Sequence, residues 1–172
     1  IFYHLFKVYF FLMQQKKETL NYGIIGNCKS SALINEDSSI DWCCLPQFDS
    51  PSVFGKILDD NIGGQFKIEC DASYQISQAY DKNTCILITK FQHPDHEFQI
   101  IDFMPRYQKD SNSYYAPPEI TRILKHIKGK PVFKVIYNPR LEYALGETKN
   151  YVKEQFIVSI VDLSLIHISE PT

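Results

Sequence analysis

Nothing in this chain approaches the length of a membrane span. The longest apolar run, IFYHLFKVYFFL at residues 1–12, falls well short of the roughly 20 residues a helix needs to cross a bilayer. A signal peptide carries its basic residues ahead of the apolar stretch, whereas here Lys16 and Lys17 follow it. No block of one charge exists either. Eighteen Lys and Arg against 20 Asp and Glu leave a net charge of −2, which excludes the basic field that draws in nucleic acid. Neither a nucleic-acid nor a membrane partner is expected. The five cysteines, Cys28, Cys43, Cys44, Cys70 and Cys85, form no C-x-x-C pair. An odd count without framework spacing fits reduced thiols in a reducing compartment, so a cytoplasmic protein is expected. Adjacent Cys43 and Cys44 point to opposite faces of a strand, which argues against joint metal ligation. His93 and His96 lie in HPDH, a turn whose proline presets the required φ. No metal is expected, and the chain has no internal repeat or low-complexity tract.

What is present is one domain's length, 172 residues, with 44% apolar residues, enough to bury a core. The expected working unit is residues 13–162. Met13 is the expected start, which makes residues 1–12 upstream read-through. LSLIHISEPT at 163–172 resembles the translation of a sequencing adapter and is set aside from fold reasoning. Between these ends apolar residues alternate with period two. YGIIG and SALI are short strands, and NEDSS turns the chain into IDWCCL. There Ile40, Trp42 and Cys44 are expected on one face, with Asp41, Cys43 and Leu45 on the other. One short helix is expected next: Ser50 caps it, Pro51 takes the first turn, and Val53, Phe54, Ile57 and Leu58 form its stripe. GQFKIEC and SYQISQAY are strands, and TCILITKFQ and EFQIIDFM form a long hairpin around HPDH. Residues 106–118 are polar and turn-rich and read as a loop. EITRILKHI and VFKVIYNP then form a hairpin about KGKP, and NYVKEQFIVSIV is a last strand. Strands at roughly ten-residue spacing predict an all-β antiparallel sandwich.

The stretch YGIIGNCKSSALINEDSSIDWCCLPQFDSPSVFGKILD resembles the opening of the trehalase-like N-terminal domain of glycoside hydrolase family 15. Tyr22, Ile25, Gly26, Ala32, Leu33, Ile40, Asp41, Trp42, Pro46, Phe48, Asp49, Ser50, Pro51 and Phe54 carry the likeness. Asp102, Phe103, Met104, Pro105, Arg122, Gly129, Pro139, Arg140 and Tyr143 follow in order. Cys28 and Lys29 stand where the family has Gly and Arg, and Ser38 replaces a turn glycine. A serine held at positive φ costs on the order of 1 kcal/mol, and lysine cannot fork to a carboxylate as arginine does. The resemblance implies a β-supersandwich that packs against a C-terminal (α/α)6 barrel, in inverting hydrolases of α-glucosides that need no cofactor. Inversion uses two carboxyl groups, which the resemblance assigns to the barrel, so no catalytic residue is expected in this chain and the chain alone is expected to be inactive. Glucoamylase-like action on an α-glucan is favoured over trehalose hydrolysis.

The residues singled out therefore read as architecture first. Trp42 is an apolar anchor, in the core or at the seam to the barrel. Asp41 is expected to be architectural. Phe48, Asp49, Ser50 and Pro51 form a corner with capping capacity. Asp102 sits in an apolar strand and needs a cation, Arg106 or Arg122. Asn27 and Lys29, in the first turn, are the substrate-side candidates. The alternative from another class is a stand-alone carbohydrate-binding or interaction sandwich. A planar row of exposed aromatics would mark that alternative, and Tyr114 and Tyr115 are the residues to watch. A bare apolar face would mark a missing neighbour.

Overall fold

The computed structural model describes residues 20–161 and, as backbone, residues 164–169. Two antiparallel sheets make the layers. The first contains β1 (Tyr22–Gly26), β2 (Ser31–Asn35), β3 (Ile40–Cys44), β4 (Ser52–Phe54), β5 (Gln65–Glu69) and β12 (Lys134–Asn138), ordered β1-β2-β3-β5-β12 with β4 also on β3. The second contains β6 (Gln75–Tyr80), β7 (Leu87–Gln92), β8 (Glu97–Phe103) and β11 (Thr121–Lys128), ordered β11-β8-β7-β6. Period-two burial along β8, where Phe98, Ile100 and Asp102 are buried between half-buried neighbours, is the alternation that faces a core. Ile25, Ile34, Ile40, Leu87 and Met104 meet in the main cluster, and Ile68, Phe91, Phe98 and Ile100 form a second one. Phe91 and Phe98 stack with ring centroids 4.6 Å apart. The all-β sandwich read from the sequence is the fold observed.

Four local expectations are corrected. Residues 50–58 form no helix. Val53 and Phe54 are buried in β4, Phe54 opposite Cys43 and Ser52 opposite Cys44, while Leu58 is 68% exposed. A stripe of two turns cannot outweigh strand pairing that buries a valine and a phenylalanine, because helix nucleation is costly over so few residues. The Ser50 hydroxyl accepts the Gln47 N–H at 3.1 Å instead of capping a helix. Residues 106–118 contain a small hairpin, β9 (Tyr107–Asp110) with β10 (Ser113–Tyr115). The segment NYVKEQFIVSIV is two strands, β13 (Lys149–Val152) and β14 (Phe156–Val161), with β15 (Ser164–Ser169) added to the far side of β14. Finally, β11 and β12 do not pair. β11 lies along β8 and β12 along β5, so residues 129–133 cross from one layer to the other. Gly129, at φ +69°, makes that crossing because a Cβ there would meet the Asp95 carbonyl oxygen at 2.1 Å.

The face assignment in IDWCC also changes. Trp42 lies opposite Leu33 and Ile40 opposite Ile34, so β3 advances two residues where β2 advances one. Asp41 is the extra residue of a β-bulge. Ile40 and Cys43 consequently face the same core cluster, which an unbroken strand would forbid, and the alternation that separates Asp41 from Trp42 is lost. Of the expected boundaries, residue 13 and residues 162–163 lie outside the described residues, as does the whole of residues 1–12.

Candidate functional site

The two buried carboxylates among the described residues are both engaged. Asp41 accepts from Ser39 Oγ at 2.5 Å, Asn35 Nδ2 at 3.0 Å and Tyr22 Oη at 3.1 Å. Asn35 also accepts the N–H groups of Asp37 and Ser39, both at 2.9 Å, which shapes the β2–β3 turn. The bulge thus delivers Asp41 to a ring of donors that fixes the turn. Asp102 is fully buried and receives Arg122 in a fork, Nε at 2.7 Å and Nη2 at 3.0 Å. Arg122 sits directly opposite Asp102 in the strand register. Its remaining N–H groups reach the other layer, donating to Phe66 O at 2.9 Å and Ser38 O at 2.7 Å. One guanidinium therefore ties both sheets and the β2–β3 turn together. Burial pushes the Asp102 carboxyl above the usual carboxylate range, and the Arg122 charge pulls against that rise. Arg106, the other expected partner, lies instead over the Tyr114 ring, 4.0 Å from its centroid.

The loops at one end of the sandwich gather the other residues singled out. Asn27 is buried, its Nδ2 donating to Pro117 O at 2.8 Å and its Oδ1 accepting the N–H groups of Lys29 and Ser30, both at 3.0 Å. Its side chain holds the first turn and pins the segment after the β9–β10 hairpin to it. Phe48 N–H donates to Lys29 O at 3.0 Å, which joins this turn to the corner that follows Pro46. Cys28, Lys29, Gln47, Phe48 and Asp49 line a shallow depression of about 380 Å³ between them. Trp42 is half-buried and packs a tilted ring on Tyr143, centroids 6.3 Å apart. Tyr143 is brought there by a 3-10 turn, Glu142–Ala144, whose three residues all have φ between +55° and +60°. Cys28, which lines the depression, has left-handed backbone too, at φ +69°. Pro51 follows Ser50 into β4. His93 and His96 form the expected turn. Their Nδ1 atoms accept the N–H groups of Asp95 and Lys130, which occupies the nitrogens facing the backbone.

The sequence pointed to a cation for Asp102 and left Arg106 and Arg122 open, while the donors around Asp41 and the role of Asn27 went unread. The Asn35-Glu36-Asp37 run was the available signal, since asparagine before a polar turn favours such side-chain-to-backbone bonds.

The fold is a two-layer antiparallel sandwich in which buried Asp41 holds a turn and buried Asp102, through Arg122, ties the layers. The family model described as "Trehalase-like, N-terminal" matches residues 11–160, and the chain belongs to that family. Trehalase 2 of Sulfolobus acidocaldarius is 33% identical over 139 residues, 81% of this chain and 22% of that protein. Trehalase 1 of the same organism is 43% identical over 88 residues, 51% of this chain and 15% of that protein. The trehalase of Thermoplasma volcanium is 30% identical over 136 residues, 77% of this chain and 21% of that protein. The chain spans about a fifth of the length of Trehalase 2 of Sulfolobus acidocaldarius and of the Thermoplasma volcanium trehalase. No solved structure matches the chain.

Proposed function

We propose that this chain is the accessory N-terminal domain of an inverting family 15 glycoside hydrolase, and that it packs against a catalytic (α/α)6 barrel supplied by the rest of the polypeptide. The relatives named above carry the name trehalase, so trehalose replaces maltooligosaccharide as the favoured substrate. The observation that carries the proposal is the commitment of Asp41 and Asp102. Inverting hydrolysis needs one carboxyl group to protonate the leaving oxygen and a second, about 6.5–9.5 Å away, to activate water. Here both buried carboxylates hold turns and layers instead.

Within the assembled protein the Cys28–Lys29 turn and the Phe48–Asp49 corner form one rim of the substrate pocket. Asn27 sets the turn and exposed Lys29 is the residue nearest the sugar. Free thiols at all five cysteines support a cytoplasmic location. The stand-alone carbohydrate-binding alternative draws no support from the tyrosines. Tyr107 and Tyr115 are tilted by 42° rather than coplanar, and Arg106 covers a face of Tyr114.

The test is glucose release from trehalose and from maltose by the purified 172-residue chain, which should equal the buffer blank. Turnover abolished by Asp41→Asn or Asp102→Asn would overturn the placement of the chemistry elsewhere. A complete reading frame with no helical toroid and no paired glutamates would remove the enzyme altogether.

A further inference from the structure

Both layers of the sandwich stop on the same side. β11 ends the four-stranded sheet and β12 ends the other path, and residues 129–133 step directly between them. The inward positions of β11 are those opposite Asp102, Ile100 and Phe98, namely Arg122, Leu124 and His126. Those three partners are fully buried, and the Arg122 side chain is only 6% exposed, yet Leu124 is 39% exposed and His126 is exposed too. Leu124 therefore keeps more than a third of its surface open at the edge of the layer. Ile127, Val132 and Val135 in the same segment are also exposed, at 40%, 82% and 55%.

The segment from β11 to β12 carries charge of one sign, with Glu97 opposite Lys128 and Glu69 beside Lys134 on the strands behind it. Residues 121–135 contain Arg122, Lys125, Lys128, Lys130 and Lys134 and no Asp or Glu. Arg122 is neutralised by Asp102, Lys134 lies 3.5 Å from Glu69, and Lys128 donates to the Pro94 carbonyl. Lys125 and Lys130 have no side-chain partner among the described residues. An outer strand presents unpaired N–H and C=O groups, and lysines on it suppress pairing with a second copy. The same lysines attract an acidic strand. Bare leucine, isoleucine and valine beside them suit a polypeptide rather than a nucleic acid.

We propose that the free edge of β11 receives an extended acidic strand from another part of the same longer polypeptide. That strand extends the four-stranded sheet, places an apolar side chain over Leu124 and sets carboxylates against Lys125. The length is there to supply it, since this chain covers 22% of Trehalase 2 of Sulfolobus acidocaldarius. The source of the strand rests on the accessory-domain proposal, whereas the pairing site rests on the geometry of β11 alone.

The probe is an octapeptide of alternating valine and glutamate, titrated to millimolar concentration into the 172-residue chain and followed by residue-resolved amide hydrogen exchange. A valine–lysine octapeptide is the control. The acidic peptide should slow exchange along residues 121–126. Charge reversal by Lys125→Glu with Lys130→Glu should weaken it by about tenfold and turn the preference to the basic peptide, with an unchanged urea midpoint showing that the fold is intact. The proposal is overturned if residues 121–126 gain no protection, or if protection appears at β6 or β12 instead. Indifference to charge reversal also overturns it, as does a dimer that already protects β11, or stronger protection by a DNA duplex. None of these results touches glucose release, so failure here leaves the glycosidase proposal to its own test.

Discussion

Ser38 holds φ at +62° with its hydroxyl buried and without a hydrogen-bond partner. Both features cost free energy: side chains disfavour left-handed backbone, and an unsatisfied buried hydroxyl loses its water. Ser38→Gly relieves both at once, at the expense of a more flexible unfolded chain. A net gain of about 1 kcal/mol should appear as a higher urea midpoint at unchanged slope. Cys28→Gly, at φ +69° but exposed, removes only the backbone strain and should gain less. Arg122 presents the opposite case. Arg122→Ala leaves Asp102 buried without its cation and cuts the bonds to Phe66 and Ser38, a loss of roughly 3–5 kcal/mol. Arg122→Lys keeps the charge but not the fork, so its urea midpoint should fall between wild type and the alanine variant. Equal midpoints for wild type and lysine would show that charge alone clamps the layers.

At the scale of elements, strand edges decide what the sandwich tolerates. β1 ends the first sheet, and the Tyr80 hydroxyl acts there as a substitute strand, accepting from Ile24 N–H at 2.6 Å and donating to Ile24 O at 2.9 Å. Tyr80→Phe removes both bonds while keeping the ring. Amide exchange at Ile24 should then accelerate at least about tenfold with other strand amides unchanged, since one net hydrogen bond is worth about 1 kcal/mol or more at a protected edge. This edge device was not legible in the sequence, because Tyr80 lies 56 positions from Ile24 and nothing local marks the pair. The strands themselves were legible through their period of two, and so was the demand of Asp102 for a cation in an apolar strand. Three other features escaped for physical reasons. The bulge at Asp41 breaks the period on which face assignment depends. Around β4, Pro51 and a short apolar stripe imitate a helix start, yet pairing with β3 buries Val53 and Phe54 and leaves Leu58 out. KGKP imitates a hairpin turn, but Gly129 sends the chain across to the other layer. At the candidate site, Lys29 was singled out by its place in the turn, while the depression it lines depends on contacts between distant loops.

For the whole molecule, the buried thiols set an alkaline limit. Burial pushes the Cys43 thiol up to about 12 and the Cys70 thiol to about 11, against 9.0 for an exposed thiol. Cys44 shifts upward for the same reason. Each raised group keeps its proton in the folded chain at a pH where the unfolded chain has released it. Stability from this source is therefore intact below pH 9 and declines as pH rises through about 9 to 12, because the unfolded state binds fewer protons there. Urea midpoints measured at pH 8, 9.5 and 10.5 should fall in that order. Cys43→Val keeps an apolar side chain of similar size in the core and should cost less than about 1.5 kcal/mol at pH 7, but it removes the largest of these titrations and should flatten the decline. The same burial gives an independent reading at pH 8. Cys28 and Cys85 are exposed and should react with a thiol reagent in the folded chain, whereas Cys43 and Cys44 should react only after unfolding. Rapid labelling of Cys43 without urea would mean that the sandwich opens at the β3–β4 pairing, and the alkaline decline would then need another cause.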